Sequence, residues 1–124
     1  MITVVQELEP AIEEFDPATE VEYSLAALPC GTPLIELPSF PAVIGRGADV
    51  DVRLNDIYIS RRHCEIIAAN GALVVHDLGS KNGTIVNGVR TEFSSLGPDD
   101  VLTLGGMSFV VHIRSAIAGS LNAR

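Results

Sequence analysis

The chain has 124 residues, 47% of them apolar, and a formal net charge of −8 at neutral pH. That length suits one domain with a core of its own, and the acidic balance lacks the basic stripe that a nucleic-acid binder presents. Two cysteines, Cys30 and Cys64, are too few for a disulfide scaffold, and no apolar run approaches the ~20 residues of a membrane span.

The charge is unevenly spread. Residues 1–22 carry seven acids (Glu7, Glu9, Glu13, Glu14, Asp16, Glu20 and Glu22) and no base. An N-terminus of that sign does not resemble a secretory signal, so no export segment and a cytoplasmic location are expected. Pro10 and Pro17 interrupt any helix there, and the acids crowd the apolar positions, so 1–22 reads as an acidic, disordered arm. With no Trp, four Phe and two Tyr, the core of the remainder must be aliphatic and rich in Val, Ile and Leu, which favours strands.

From Tyr23 the chain breaks into short apolar runs separated by turn residues. Ser24–Leu28 and Pro33–Leu37 flank the turn Pro29-Cys30-Gly31-Thr32. Phe40–Ile44 leads into Gly45, and Val50, Val52 and Leu54 alternate with Asp51 and Arg53. Cys64, Ile66 and Ala68 fall on one strand face, with His63, Glu65 and Ile67 on the other. Asn70-Gly71 is a two-residue hairpin signal before Leu73–Leu78. After Asn87-Gly88 a polar connection is expected, then a strand with Leu102 and Leu104 inward. The Gly105-Gly106 turn follows, and a last strand sends Phe109, Val111 and Ile113 one way. Residues 115–124 read as a frayed tail. Many short strands with glycine turns indicate an all-β, antiparallel β-sandwich of about 10 to 11 strands.

The polar clusters between these runs carry the chemistry. They read Gly45-Arg46-Gly47, Ser60-Arg61-Arg62-His63, Gly79-Ser80-Lys81-Asn82-Gly83-Thr84 and Asn87-Gly88. Strands that end together gather such turns on one edge of a sheet. Arg46, Arg61, Arg62 and Lys81 are four of the eight basic residues, and hydroxyl and amide side chains lie among them. Cations, neutral donors and pliable backbone together describe an oxyanion receptor, with phosphate as the obvious anion. Arg62 is expected to point away, as strand neighbours alternate sides. Ser60, His63 and Asp77 also supply the residue types of a hydrolase triad. In an extended chain, however, residues three apart face opposite sides, and no nucleophile-elbow sequence is present. Gly45–Val50 lacks the third glycine of a dinucleotide fingerprint, and no Walker lysine precedes Gly83-Thr84. His76 and His112 stand apart, without metal-ligand spacing. Catalysis, cofactor and metal are therefore not expected.

The ordered motifs Gly-Arg, Ser-x-x-His, Asn-Gly-Thr and Asn-Gly resemble those of the forkhead-associated (FHA) domain, a β-sandwich that reads phosphothreonine. The resemblance covers about 23–114 and implies a non-catalytic protein–protein interaction module in Ser/Thr kinase signalling. It implies phosphate contacts from Arg46, Ser60 and Arg61, with Lys81 as a further cation and Asn82 bonding the ligand's backbone. His63 becomes a buttress behind the loops, Gly45, Gly83 and Thr84 shape them, and Asn87 ties its loop to itself. Cys64 stands where the family often has alanine. The implied partner is a threonine-phosphorylated protein or peptide, not nucleic acid or membrane. The chain's own arm, with Thr19, is a candidate internal ligand, since family members bind their own phosphorylated tails. The alternative is a phosphate-independent interaction module that uses a sheet face of the same fold.

Overall fold

Alternation of aliphatic with polar residues gives each short strand one face to bury, and two sheets result. The computed structural model describes residues 21–37, 39–69 and 72–115. Among these lie eleven strands: β1 (Val21–Ala27), β2 (Leu34–Glu36), β3 (Ala42–Gly45), β4 (Val52–Arg53), β5 (Cys64–Ala69), β6 (Ala72–Asp77), β7 (Thr84–Val86), β8 (Val89–Thr91), β9 (Phe93–Leu96), β10 (Val101–Leu104) and β11 (Met107–Ser115). A five-stranded sheet runs β9-β6-β5-β3-β4, and a six-stranded sheet runs β2-β1-β11-β10-β7-β8.

The chain divides into two compact units, 23–112 and a second formed by 1–22 with 113–124. Of the second, the structure describes Val21, Glu22 and 113–115, where Arg114 Nη2 donates to Glu22 Oε1 at 2.7 Å. Of the arm expected over 1–22, residues 1–20 lie outside the described residues, as do 116–124 of the tail expected over 115–124 and the Asn70-Gly71 hairpin signal. Ala69 pairs with Ala72 on either side of that signal.

The core of the 23–112 unit is aliphatic, as the composition requires. Leu25, Ile44, Ile66, Leu73, Val75, Leu102, Leu104, Phe109 and Val111 are wholly buried. Each such side chain contributes about 1.5–3 kcal/mol by leaving water, an upper figure for a realistic unfolded chain. Strands β3 and β4 pair in parallel: Ile44 faces Val52 and Gly45 faces Arg53. The expected polar connection after Gly88 instead holds β8 and β9. Val89-Arg90-Thr91 and Phe93–Leu96 show little burial, because each strand lies at the edge of its sheet and is held by backbone bonds to one neighbour. His63 also departs from expectation. It lies between the 61–62 bend and β5 and is wholly buried, so it does not share an outward face with Glu65.

Register places the loops. Ile44 pairs with Cys64, and Cys64 pairs with Asp77, so the end of β3, the start of β5 and the end of β6 lie at one edge. Leu104 pairs with both Thr84 and Met107, which brings the start of β7 and the β10–β11 turn together in the second sheet.

Candidate functional site: a cluster of donors at the loop edge

Three loops are stitched together at that edge, and the stitching begins at Gly45. A Cβ there would lie 2.0 Å from the Arg61 carbonyl oxygen, so only glycine lets the two backbones meet. The Arg46 amide then donates to Ser60 O at 3.0 Å, and the Gly47 amide to Arg61 O at 3.0 Å. Arg46 Nε donates to Ile59 O at 2.9 Å. That bond fixes the guanidinium plane and leaves the Nη pair for a ligand, as it meets no acceptor among the described residues. A planar fork held this way suits two oxygens of one phosphate.

Ser60 joins the second loop to the third. Its Oγ accepts the Lys81 amide at 3.0 Å. A hydroxyl that accepts in this way still has its own proton to donate, and an anion is the natural acceptor. Arg61 and Lys81 are both exposed beside it, each ready to add a cation. Arg62 leaves the cluster, but not by strand alternation: 61–62 is a bend, and Arg62 Nη1 turns to Asp49 Oδ2 at 3.3 Å. Asn82 Nδ2 donates to Tyr58 O at 2.8 Å. One amide hydrogen is thereby spent, and the second, with Oδ1, remains for a peptide backbone.

His63 lies behind these loops. The Ser60 amide donates to its Nδ1 at 3.1 Å, and Nε2 is 2.8 Å from Gly83 O. Nδ1 must therefore carry the lone pair and Nε2 the proton, a neutral tautomer that clamps the second loop to the third. Ser60 and His63 do meet across a turn, contrary to the extended-chain expectation, yet they meet through backbone. Both ring nitrogens are committed away from Ser60 Oγ, and Asp77 bonds other groups, so no triad forms.

Asp77, absent from the residues expected at the site, organises the third loop. Its Oδ2 accepts the Gly79 and Ser80 amides, each at 3.0 Å. Its Oδ1 accepts the Ser80 hydroxyl at 2.5 Å and the Thr84 hydroxyl at 2.7 Å. Ser80 Oγ in turn accepts the Gly83 amide at 2.9 Å. Partial burial pushes the Asp77 carboxyl up, but the Ser80 and Thr84 hydroxyls and the two amides outweigh it and hold the carboxyl below its ordinary value. An aspartate followed by Leu-Gly-Ser was the available signal, since Asp commonly bonds amides two and three residues on. Gly83 has φ +92°, a left-handed conformation that glycine adopts without strain.

Asn87 does not belong with these residues. It lies beyond Val86, at the far end of β7 from the third loop. Rather than closing its own loop, it reaches the start of β10: Oδ1 accepts the Val101 amide at 2.9 Å and Nδ2 donates to Asp100 Oδ1 at 3.1 Å. The Gly97 amide, followed by Asn87, holds the Asp100 carboxyl below its usual range. Asn87 thus supports the β9–β10 connection.

Known proteins resemble this chain in sequence and fold. The family model for the FHA domain matches residues 42–105. Over 71 residues the chain is 39% identical to the FHA domain-containing protein FhaA of Mycobacterium tuberculosis, covering 57% of this chain and 14% of that protein. It is 36% identical over 77 residues to the glycogen accumulation regulator GarA of Mycolicibacterium smegmatis, covering 62% and 48% respectively. The chain thus spans about half or less of the length of these curated relatives. A solved FHA domain, from work on phosphothreonine-dependent FHA domain interactions, superposes with a TM-score of 0.68 at 33% identity, covering 73% of this chain and 95% of that one. On its fold, its family-model match and these relatives, the chain belongs to the FHA domain family.

Proposed function

We propose that this chain is a non-catalytic cytoplasmic module that docks threonine-phosphorylated segments of partner proteins in Ser/Thr kinase signalling. The observation that carries this reading is that Ser60 Oγ accepts the Lys81 amide and so keeps its own proton to donate, in the loop whose carbonyls accept the Arg46 amide and Nε. Arg46, Ser60, Arg61 and Lys81 would hold the phosphate, and Asn82 the ligand backbone. A solved relative is characterised by phosphothreonine-dependent interactions, which agrees with this assignment. Each charge-assisted bond contributes about 1.5–3 kcal/mol net. Three or four of them, less the cost of association, give affinity near the micromolar range. The chain's own acidic arm, phosphorylated at Thr19, would be a competing internal ligand, favoured by a tethered concentration that reaches about millimolar.

A second reading, phosphate-independent docking on a sheet face, has one observation in its favour. Phe93 on β9 is 59% exposed and stacks on His76 with ring centroids 4.1 Å apart, and His76 Nδ1 is 3.1 Å from Glu65 Oε2. One screen separates the two readings. Matched peptide libraries, with threonine phosphorylated or not, are presented to the protein. Binding confined to phosphorylated members supports the phosphothreonine reading, and binding indifferent to phosphate refutes it.

A further inference from the structure

Beside the third loop lies an open cleft of about 410 Å³. It is lined by Asp77, Gly79, Ser80, Arg90, Thr91 and Glu92. Its one cation is Arg90, on the edge strand β8. The Arg90 side chain lies flat across the bare α-carbon of Gly83, where an added Cβ would come within 2.5 Å of Nε, 2.8 Å of Cζ and 2.9 Å of Cδ. The guanidinium is therefore pre-positioned by packing. It is exposed, and among the described residues no carboxylate pairs with it: the ion pairs there belong to Arg62, His76 and Arg114.

The two acids of the cleft differ in what they still offer. Asp77 already accepts four donors from its own loop. Glu92 is exposed and two residues from Arg90, on the same rim. The Asp77 charge is met by those four donors, so Glu92 is the one acid of the cleft left to compete for Arg90. One guanidinium beside one open carboxylate suits a single ligand carboxylate better than a dianionic second phosphate.

Position links this cleft to the phosphate cluster. Lys81, whose amide reaches Ser60, is the chain neighbour of Ser80, which lines the cleft, and Asn82 is the neighbour of Gly83, under Arg90. Consecutive Cα atoms are about 3.8 Å apart, and an extended ligand advances about 3.3 Å per residue. A peptide held at Ser60, Lys81 and Asn82 therefore brings a residue one to three positions from its phosphothreonine over Arg90.

We infer that Arg90 is a specificity-determining residue that reads one acidic side chain, Asp or Glu, flanking the phosphothreonine of the ligand. This rests on the phosphothreonine reading above and deepens it. Fluorescence anisotropy with phosphothreonine peptides tests it, the flanking positions being alanine except for one Glu, Lys or second phosphothreonine, moved in turn from four residues before to four after. Wild type is expected to favour Glu over Ala by about three- to tenfold at one position, and to prefer Glu to a second phosphate there. Arg90→Gln should abolish that preference and bind the all-alanine peptide within about twofold of wild type. Arg90→Glu should favour Lys at the same position. Equal losses on every peptide in Arg90→Gln would mean that Arg90 only supports the loop, and would overturn the inference. A Glu preference that survives in Arg90→Gln, or none in wild type, would do the same. Failure of wild type to bind even the all-alanine phosphopeptide would sink the phosphothreonine reading itself, and the role of Arg90 with it.

Discussion

The Lys81 backbone amide donates to Ser60 Oγ at 3.0 Å, joining two loops that lie 21 residues apart in the chain. One hydroxyl thus ties the two loops together and, in the proposed function, would also donate to the ligand's phosphate.

Ser60→Ala should remove both functions at once. The exposed Lys81 amide can turn to water, so the folded state should lose no more than about 1 kcal/mol. Phosphopeptide affinity should fall at least about tenfold. Thermal unfolding and anisotropy on the same sample check both halves.

Gly45→Ala should act in the opposite proportion, on the fold first. Its Cβ would sit 2.0 Å from Arg61 O, a backbone atom that cannot swing aside as a side chain can. The 60–61 loop must move, at a cost of about 1–3 kcal/mol or more. Denaturant unfolding should show a lower midpoint, and binding should weaken because Ser60 moves with its neighbour.

Asp77 predicts an acid-sensitive component of stability. Its folded pKa lies below the ordinary carboxyl value because hydroxyl and amide donors outweigh the effect of burial. Stability from such a group is fully present above its unfolded pKa, ~3.9, and is lost as pH falls through the lower folded value. Asp77→Asn should therefore be less stable than wild type at pH 7, by about 1–3 kcal/mol for the disrupted bonds. The gap should narrow as pH is lowered below about 4. Thermal melts at pH 7 and pH 3 measure it, and a gap constant across that range would contradict the assignment.

Ligand binding should carry a separate pH dependence. A phosphate monoester has its second pKa at ~6, and the dianion gives Arg46, Arg61 and Lys81 more charge to hold. Affinity should fall as pH drops through ~6, a range that leaves Asp77 ionised. Titrations at pH 7.5 and 5 test this.

Much of the fold was legible because alternation and glycine turns are local signals. Leu102, Leu104, Phe109 and Val111 all face inward as their spacing requires. The gathering of Arg46, Ser60, Lys81 and Asn82 on one edge could also be read, since turn residues mark where strands end. What was hidden depended on long-range partners. Strands β8 and β9 lie at sheet edges, so their residues carry no clear burial period. Asn87 resembled a local turn residue, but its partners Val101 and Asp100 stand 14 and 13 residues away. His63 was misplaced on a strand face because the bend before Cys64 is set by its two ring bonds, which no period reveals. Nothing local marks Arg90, because its approach to Gly83 is set by the pairing of β7 with β8.

The central claim, that phosphate on threonine is what the loop edge recognises, is tested most directly by calorimetry with one phosphothreonine peptide selected from the library, its unphosphorylated twin and Arg46→Ala. The phosphorylated peptide should bind wild type near the micromolar range and the twin not measurably. Arg46→Ala should remain folded and bind about 10- to 150-fold more weakly, the equivalent of one charge-assisted contact. Equal heats from both peptides, or unchanged affinity in a folded Arg46→Ala, would contradict it.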